Sequence, residues 1–430
     1  MPSTPAEALA FLHSRSPSTV VLGLERMRAA LAELGHPELR LPAVHVAGTN
    51  GKGSTCAMVD AVLRAAALRV GLYTSPHLVR FNERIRLNGA EIDDVALGQA
   101  LLEVLQRAPT ASALTYFELG TLVAFWHFAQ EGVDFAVLET GLGGRLDATA
   151  TCLPRVTAVT ALGLDHTELL GDTLSAIARE KAGIFRAGVT AVVARQPPEA
   201  EPVLLKEASR VGAPLLVEGL DFELLEEGQG LVYRHGGRRL GGLTLGLAGH
   251  HQRQNAALAL ALVDVLAQAG TDIPDAACVA GLREVRWPGR LEVVPGAPLL
   301  LLDGAHNPSG VEVLRTVLDT TYAGRRVHLI FGAVREKDVG RMLAGLLPRM
   351  ASVTLTPLET PRGLPPADYL QAALRLCPRV QVAASPEQAL QLAQAGAAPE
   401  DVVLAAGSLY LVGALKAHLG AGQVPASTEG

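Results

Sequence analysis

Residues 47–55 read Ala-Gly-Thr-Asn-Gly-Lys-Gly-Ser-Thr, with a short apolar run, 43–47, before them and a helical pattern after them. That context suits a loop wrapped around phosphate oxygens. Glycines let successive backbone N–H groups turn inward. The start of the following helix adds partial positive charge. Gly51, Lys52, Gly53 and Ser54 are therefore candidate ligands of phosphate groups. Lys52 supplies a full charge against the β- and γ-phosphates, and Ser54 or Thr55 offers Mg²⁺ a hydroxyl. The spacing departs from G-x-x-x-x-G-K-[ST]: Val46 and Gly53 stand where a glycine and a hydroxyl residue are expected.

Two further groups stand at the ends of strand-like runs. Glu139 closes the run 135–138 and is followed by Thr-Gly-Leu-Gly-Gly-Arg-Leu-Asp. Ligands of open α/β sheets bind beyond the carboxyl ends of strands, so a carboxylate there is placed to hold Mg²⁺ near a nucleotide. Read alone, Glu139 fits a capping or surface acid equally well. Asp165-His166 follows the run 156–162 on the same predicted rim. A lone histidine is by default structural or exposed, and Mg²⁺ prefers oxygen ligands. Lys181 falls late in a helical pattern that starts near Thr173, where an ordinary salt-bridged lysine is the simplest reading.

The elements that must position these groups alternate in type. Val59, Val62, Leu63 and Ala66 share one helix face after the loop. Residues 189–194 are another strand candidate. The alternation predicts parallel strands with helical crossovers on both faces. The rhythm breaks near Arg286-Trp287-Pro288-Gly289-Arg290 and resumes with strand candidates at 299–302, 327–331, 353–355, 380–383 and 402–405. The chain thus divides into an ATP-binding unit, 1–286, and a smaller α/β unit, 289–430. Residues 219–246 suggest a hairpin-rich insertion, and 420–430 a frayed tail.

The whole chain has 430 residues, 49% hydrophobic and 19% charged, which is the balance of a soluble globular protein. Its formal charge of −6 argues against a nucleic-acid binder. The N-terminus lacks the pattern of a signal peptide. The apolar stretch 256–269 is too short for a membrane span and is interrupted by Asp264. Cys56, Cys152, Cys278 and Cys377 are scattered, as expected of reduced thiols in a cytoplasmic protein.

Several motifs, taken together and in order, resemble the Mur ligase superfamily, and within it the folylpolyglutamate synthase/dihydrofolate synthase family. They are H-V-A-G-T-N-G-K-G-S-T (45–55), Y-T-S-P-H-L (73–78), F-N-E-R-I (81–85), T-Y-F-E (115–118) and E-T-G-L-G-G-R-L-D-A-T (139–149). Then come D-H-T-E-L-L-G-D-T (165–173), E-K-A-G-I (180–184), H-Q-R-Q-N-A (251–256) and P-G-R-L-E (288–292). D-G-A-H-N-P (303–308), F-G-A-V-R-E-K-D (331–338) and G-S-L-Y-L-V-G (407–413) close the set.

The resemblance implies a fold: a P-loop, Mur-ligase-type ATPase domain with a smaller C-terminal Rossmann-like α/β domain. It also implies roles. Lys52, Glu139, His166 and Lys181 would be catalytic. Asn255, Arg290 and Asp303 would complete the ATP site. Ser54, Ser75, Glu139, His166 and a carbamylated Lys181 would hold two Mg²⁺ ions. Thr115, Tyr116, Phe117 and Glu118, with Leu146, Asp147 and Ala148, would contact a pterin. Arg84, His306 and Ser408 would handle the incoming glutamate. The implied reaction joins L-glutamate to dihydropteroate and reduced folates through an acyl phosphate, in a monomeric, bifunctional enzyme with no nucleic-acid or membrane partner. Two positions depart from the family pattern: Ala150 replaces an asparagine and Glu336 an aspartate.

Four other readings remain. A folylpolyglutamate synthase lacking the dihydropteroate reaction would carry the same motifs. A cell-wall Mur ligase would share the loop and the lysine segment, but usually adds an N-terminal domain for UDP, and only about 40 residues precede the loop here. A P-loop GTPase switch would need N-K-x-D, which is absent. A degenerate scaffold would not be expected to keep Lys52, Glu139, His166 and Lys181 together.

Overall fold

The computed structural model describes residues 2–16, 19–228 and 230–421. Eight strands make the first sheet: β1 (Pro42–Ala47), β2 (Val70–Tyr73), β3 (Ile85–Leu87), β4 (Ala90–Glu91), β5 (Phe135–Glu139), β6 (Leu153–Val159), β7 (Ala191–Val193) and β8 (Leu215–Val217). Their order is β4-β3-β2-β5-β1-β6-β7-β8. From β2 to β8 every pairing is parallel, while β3 and β4 form an antiparallel edge.

Alternate residues of the central strands feed two cores, because side chains of a strand point to opposite faces. Val44, Val46 and Val137 pack with the helices Lys52–Ala65, His251–Gln268 and Asp275–Glu284. Ala43, Ala136 and Leu138 pack with the helices Asp94–Arg107 and Tyr116–Glu131. Each fully buried Val or Leu contributes about 1.5–3 kcal/mol. Burial on both faces explains why these runs are largely apolar.

The hairpin-rich segment forms an antiparallel meander of β9 (Phe222–Glu227), β10 (Gly230–His235) and β11 (Arg238–Leu243). Phe222, Tyr233 and Leu240 lean into the first core. Buried Asp264, the residue that interrupts the apolar helix, accepts Tyr233 Oη at 2.9 Å and meets His235 Nδ1 at 2.8 Å and the Arg238 guanidinium.

A third sheet holds β12 (Glu292–Val294), β13 (Leu299–Leu302), β14 (Val327–Phe331), β15 (Ser352–Leu355), β16 (Val380–Val382) and β17 (Val402–Ala406), in the order β12-β13-β17-β14-β15-β16. Only β12 is antiparallel. No strand pairs across the three sheets among the described residues. The helix Leu409–Ala421 takes in the first two residues of the expected tail, and the rest lies outside the described residues.

Candidate active site at the junction of the two sheets

β1 ends at Ala47, and residues 48–51 turn into the helix Lys52–Ala65. The Thr49 and Asn50 N–H groups donate to Ala161 O at 3.2 and 3.1 Å, and Thr49 Oγ1 donates to Gly163 O at 3.1 Å. This explains a difference from the sequence reading: β6 stops at Val159 rather than continuing to 162, because the chain there leaves the sheet to brace the loop. At Gly51, φ is +88° and an added Cβ would lie 2.2 Å from Asn255 Oδ1. Asn255 Nδ2 donates to Gln252 Oε1 at 2.9 Å, and Gln252 Nε2 to Ser54 Oγ at 3.4 Å. Gly53 is tightly covered: a Cβ there would sit 3.0 Å from the indole Nε1 of Trp287, so a larger residue would require that ring to shift.

Lys52 Nζ lies 3.9 Å from Glu139 Oε1 and donates to Thr49 O at 3.3 Å. Glu139 is buried at the end of β5, and Ser75 N donates to its Oε2 at 3.1 Å. Burial raises its pKa; Lys52 and the Ser75 N–H oppose that. Lys181 ends the helix Leu174–Lys181 and is buried. Burial first, and then the charge of Lys52, lowers its pKa to about 7. Among the described residues no hydrogen bond acceptor meets its Nζ. His166, in a left-handed backbone conformation, lies beside Asp165 at the rim.

The second unit closes this rim. Asp165 is its hub: Oδ1 accepts Lys337 Nζ at 2.5 Å, Oδ2 accepts Asn307 Nδ2 at 3.1 Å, and His306 Nε2 lies 3.7 Å away. Burial opposes ionisation of Asp165, but Lys337 and the two histidines outweigh it and hold the carboxyl well below the usual range. Asn50 Nδ2 donates to Ser309 Oγ at 2.7 Å, and Asn307 Nδ2 to Asn50 Oδ1 at 3.1 Å. Asp303 accepts the N–H groups of Leu291 at 2.9 Å and Ala305 at 2.8 Å, which fixes the chain beside Arg290. Asp165, Asn307, Ser309 and Lys337 were not assigned roles from the sequence. Asp165, Asn307 and Lys337 do lie inside quoted motifs, and that was the available signal.

A cavity of about 270 Å³ results. Gly51, Lys52, Gly53, Ser54, Ser75, Glu139, His166, Lys181 and Asn255 line it from the first unit, and Arg290, Asp303 and His306 from the second. The sequence matches the Mur ligase middle domain over residues 46–263 and the Mur ligase glutamate ligase domain over 289–409. The dihydrofolate synthase/folylpolyglutamate synthase of Bacillus subtilis is 36% identical over 428 residues, covering 96% of this chain and 98% of that protein.

The chain belongs to the dihydrofolate synthase/folylpolyglutamate synthase branch of the Mur ligase family.

Solved structures of this branch superpose closely. E. coli FolC in complex with DHPP and ADP has a TM-score of 0.90 at 34% identity, covering 99% of this chain and 100% of that one. The Yersinia pestis bifunctional enzyme complexed with AMPPNP and Mn ion has a TM-score of 0.87 at 35% identity, covering 98% and 100%.

In this Mur ligase the expected pterin and glutamate residues do not line the cavity, His306 excepted. Thr115 and Glu118 form a capping box on the helix Tyr116–Glu131: Thr115 Oγ1 accepts Glu118 N at 3.3 Å, and Glu118 Oε2 accepts Thr115 N at 2.8 Å. Glu118 also accepts Arg26 at 2.7 Å. Tyr116 is a core residue, and the Phe117 ring rests against Gly141 on the cavity wall. Asp147 clips the glycine-rich loop, accepting Leu142 N at 2.8 Å and Thr149 N at 3.0 Å. Ala150, where the resemblance led us to expect an asparagine, is buried, and its carbonyl accepts Arg186 Nη2 at 2.8 Å. Leu146 is exposed. Arg84 stacks 5.3 Å from the Tyr116 ring and donates to His77 Nδ1 at 2.8 Å, while Ser408 Oγ accepts Tyr410 N at 3.1 Å. Among the described residues no hydrogen bond joins Arg84, His306 and Ser408 to one another. Glu336 keeps the charge expected there and accepts Arg362 Nε at 2.9 Å.

Proposed function

We propose that this enzyme uses ATP to join L-glutamate to dihydropteroate, giving dihydrofolate, and to folylpolyglutamates. It is an amide-forming, ATP-dependent ligase of the folate–glutamate class. The observation that carries the reading is the cavity itself, in which a phosphate loop with Lys52, buried Glu139 and buried Lys181 faces Arg290, Asp303 and His306 of the second unit. The bifunctional B. subtilis and Y. pestis relatives favour use of both acyl substrates over folylpolyglutamate synthesis alone.

A carboxylate is a poor acyl donor because oxide leaves badly. In the proposed path the substrate carboxylate attacks the γ-phosphorus of ATP, releasing ADP and leaving an acyl phosphate. The glutamate amine then attacks the acyl carbon, and the tetrahedral adduct expels inorganic phosphate. Lys52 offsets charge on the transferring group. The loop N–H groups hold the phosphates in place. Seating of the second unit excludes water that would hydrolyse the acyl phosphate.

The residues present fit a divalent metal. Glu139 is a buried carboxylate whose nearest cation stands 3.9 Å away. Among the described residues no three His, Cys, Asp or Glu side chains form a metal cluster. The proposed ligand set accordingly draws on the Ser54 and Ser75 hydroxyls, Glu139, His166, ATP phosphates and a carbamate on Lys181. Bound there, the metal ions supply Lewis-acid charge to the phosphoryl oxygens. A buried lysine lowered to about 7 is partly neutral near neutral pH, and a neutral amine is the form that adds CO₂.

No helix among the described residues is long and apolar enough to cross a membrane. All four cysteines are buried and free, which supports the proposed cytoplasmic setting. The test is incubation with ATP, Mg²⁺, glutamate and either dihydropteroate or tetrahydrofolate, with products weighed by mass spectrometry and hydroxylamine added to trap the acyl phosphate. Amide product with both acids is expected. Amide from tetrahydrofolate alone would reduce the enzyme to the polyglutamate reaction, and no amide from either would overturn the reading.

A further inference from the structure

The loop after β2 is anchored at two points three residues apart. At one, Ser75 N donates to Glu139 Oε2 at 3.1 Å inside the cavity. At the other, Leu78 packs on an apolar cluster of the second unit that contains Leu302, Ile330 and Val412. The fit there leaves no slack. A Cβ added to Gly413 would lie 2.0 Å from Leu78 O. At Gly289, where φ is +72°, it would lie 3.2 Å from both Leu78 Cδ1 and Val412 Cγ1. Only glycine permits this approach at either position.

The outer anchor and the residue before it are braced. Glu83 accepts the N–H groups of Leu78 at 2.7 Å, Val79 at 2.7 Å and Arg80 at 2.8 Å. His77, between Ser75 and Leu78, receives Arg84 Nε at 2.8 Å. Only Pro76 and His77 separate the two anchors, so a displacement of Leu78 bears directly on Ser75 and its contact to Glu139.

We propose that Leu78 is a positioning residue: seating of the second unit on its side chain and carbonyl aligns Ser75 with Glu139, so that phosphoryl transfer proceeds only when the cavity is shut. The inference rests on the ligase reading given above. It predicts a coupling defect rather than a binding defect, because Leu78 touches neither the phosphate loop nor the cavity.

The test uses the full chain with Leu78→Ala, Leu78→Met and Gly413→Ala. Three quantities are read: the dissociation constant of AMPPNP, kcat for amide formation, and ATP consumed per amide formed. For Leu78→Ala and Gly413→Ala, AMPPNP affinity is expected to stay within about twofold, kcat to fall about tenfold to a hundredfold, and the ATP-to-amide ratio to rise above that of the wild type, since misplacement near 1 Å costs about that much. Leu78→Met is expected to recover most of kcat and the wild-type ratio. If Leu78→Ala keeps the wild-type kcat and ratio, or loses AMPPNP affinity in step with kcat, the proposal is overturned, and Leu78→Ala decides the matter even where Gly413→Ala fails to fold. A wild-type enzyme that forms no amide would sink the ligase reading instead, so the two failures are distinguishable.

Discussion

Lys337 Nζ, from the second unit, lies 2.5 Å from Oδ1 of Asp165 in the first, and both side chains are at least nine-tenths buried. The pair joins the two units across the cleft. Removing one partner of a buried pair leaves an uncompensated charge. Lys337→Met is expected to lose about 3–5 kcal/mol in denaturant unfolding. The double variant Lys337→Met/Asp165→Asn, which removes both charges, should lose less than the single one. Equal losses would show that the charge on Asp165 is not the issue.

The carboxyl of Asp165 is held below its ordinary value. Its contribution to stability is therefore present above the pKa of an unfolded aspartate, near 3.8, and is lost as pH falls toward the lower folded value. Thermal melts between pH 6 and pH 3 should fall less steeply in Asp165→Asn than in the wild type.

Among the described residues Lys52 is the only lysine within 4 Å of Glu139. Its loss removes a full charge aimed at the transferring phosphoryl group, and a preorganised donor of that kind is worth about 10²–10³ in rate. Lys52→Ala should lower kcat for amide formation by at least that factor in a steady-state assay. Amide formation that continues unchanged would place the phosphates elsewhere.

Lys181 gives a test by pH. Burial brings it to about 7, below the 10.5 of an ordinary lysine, so between these values the unfolded chain holds a proton that the folded chain has released. Stability should rise with pH across that window, and Lys181→Met should remove this part of the slope. The proposed carbamate has a signature of its own. With ¹³C-bicarbonate the wild type should show a carbamate resonance that Lys181→Met lacks, and activity should drop in CO₂-depleted buffer.

The capping box separates two roles for Thr115. A purely local cap predicts that Thr115→Ala loses about 1 kcal/mol of stability, with KM for dihydropteroate unchanged. Direct contact with the pterin predicts a raised KM as well. Thr115→Ser, which keeps the cap oxygen, should restore stability in either case.

The sequence by itself determined the local chemistry and the class of fold. The glycine-bracketed Lys52, the strand-end Glu139 and the apolar runs that became β5, β13 and β14 were legible because each depends on neighbours within a few residues. Lys181 was not legible from its own helix, where an exposed lysine and a buried one look alike; only the packing around it lowers its pKa. That Trp287, more than two hundred residues away in the chain, covers Gly53 was not legible either. Thr115 and Glu118 were read from the sequence only as pterin contacts; the capping box they form uses the same two residues at the same spacing, and it took the helix start in the structure to show it. The tertiary structure alone decided that Asp165 meets Lys337 and that Leu78 seats against Gly413. Such contacts join surfaces of two separately formed sheets, and no periodicity along one chain segment encodes which side chain of the other will face it.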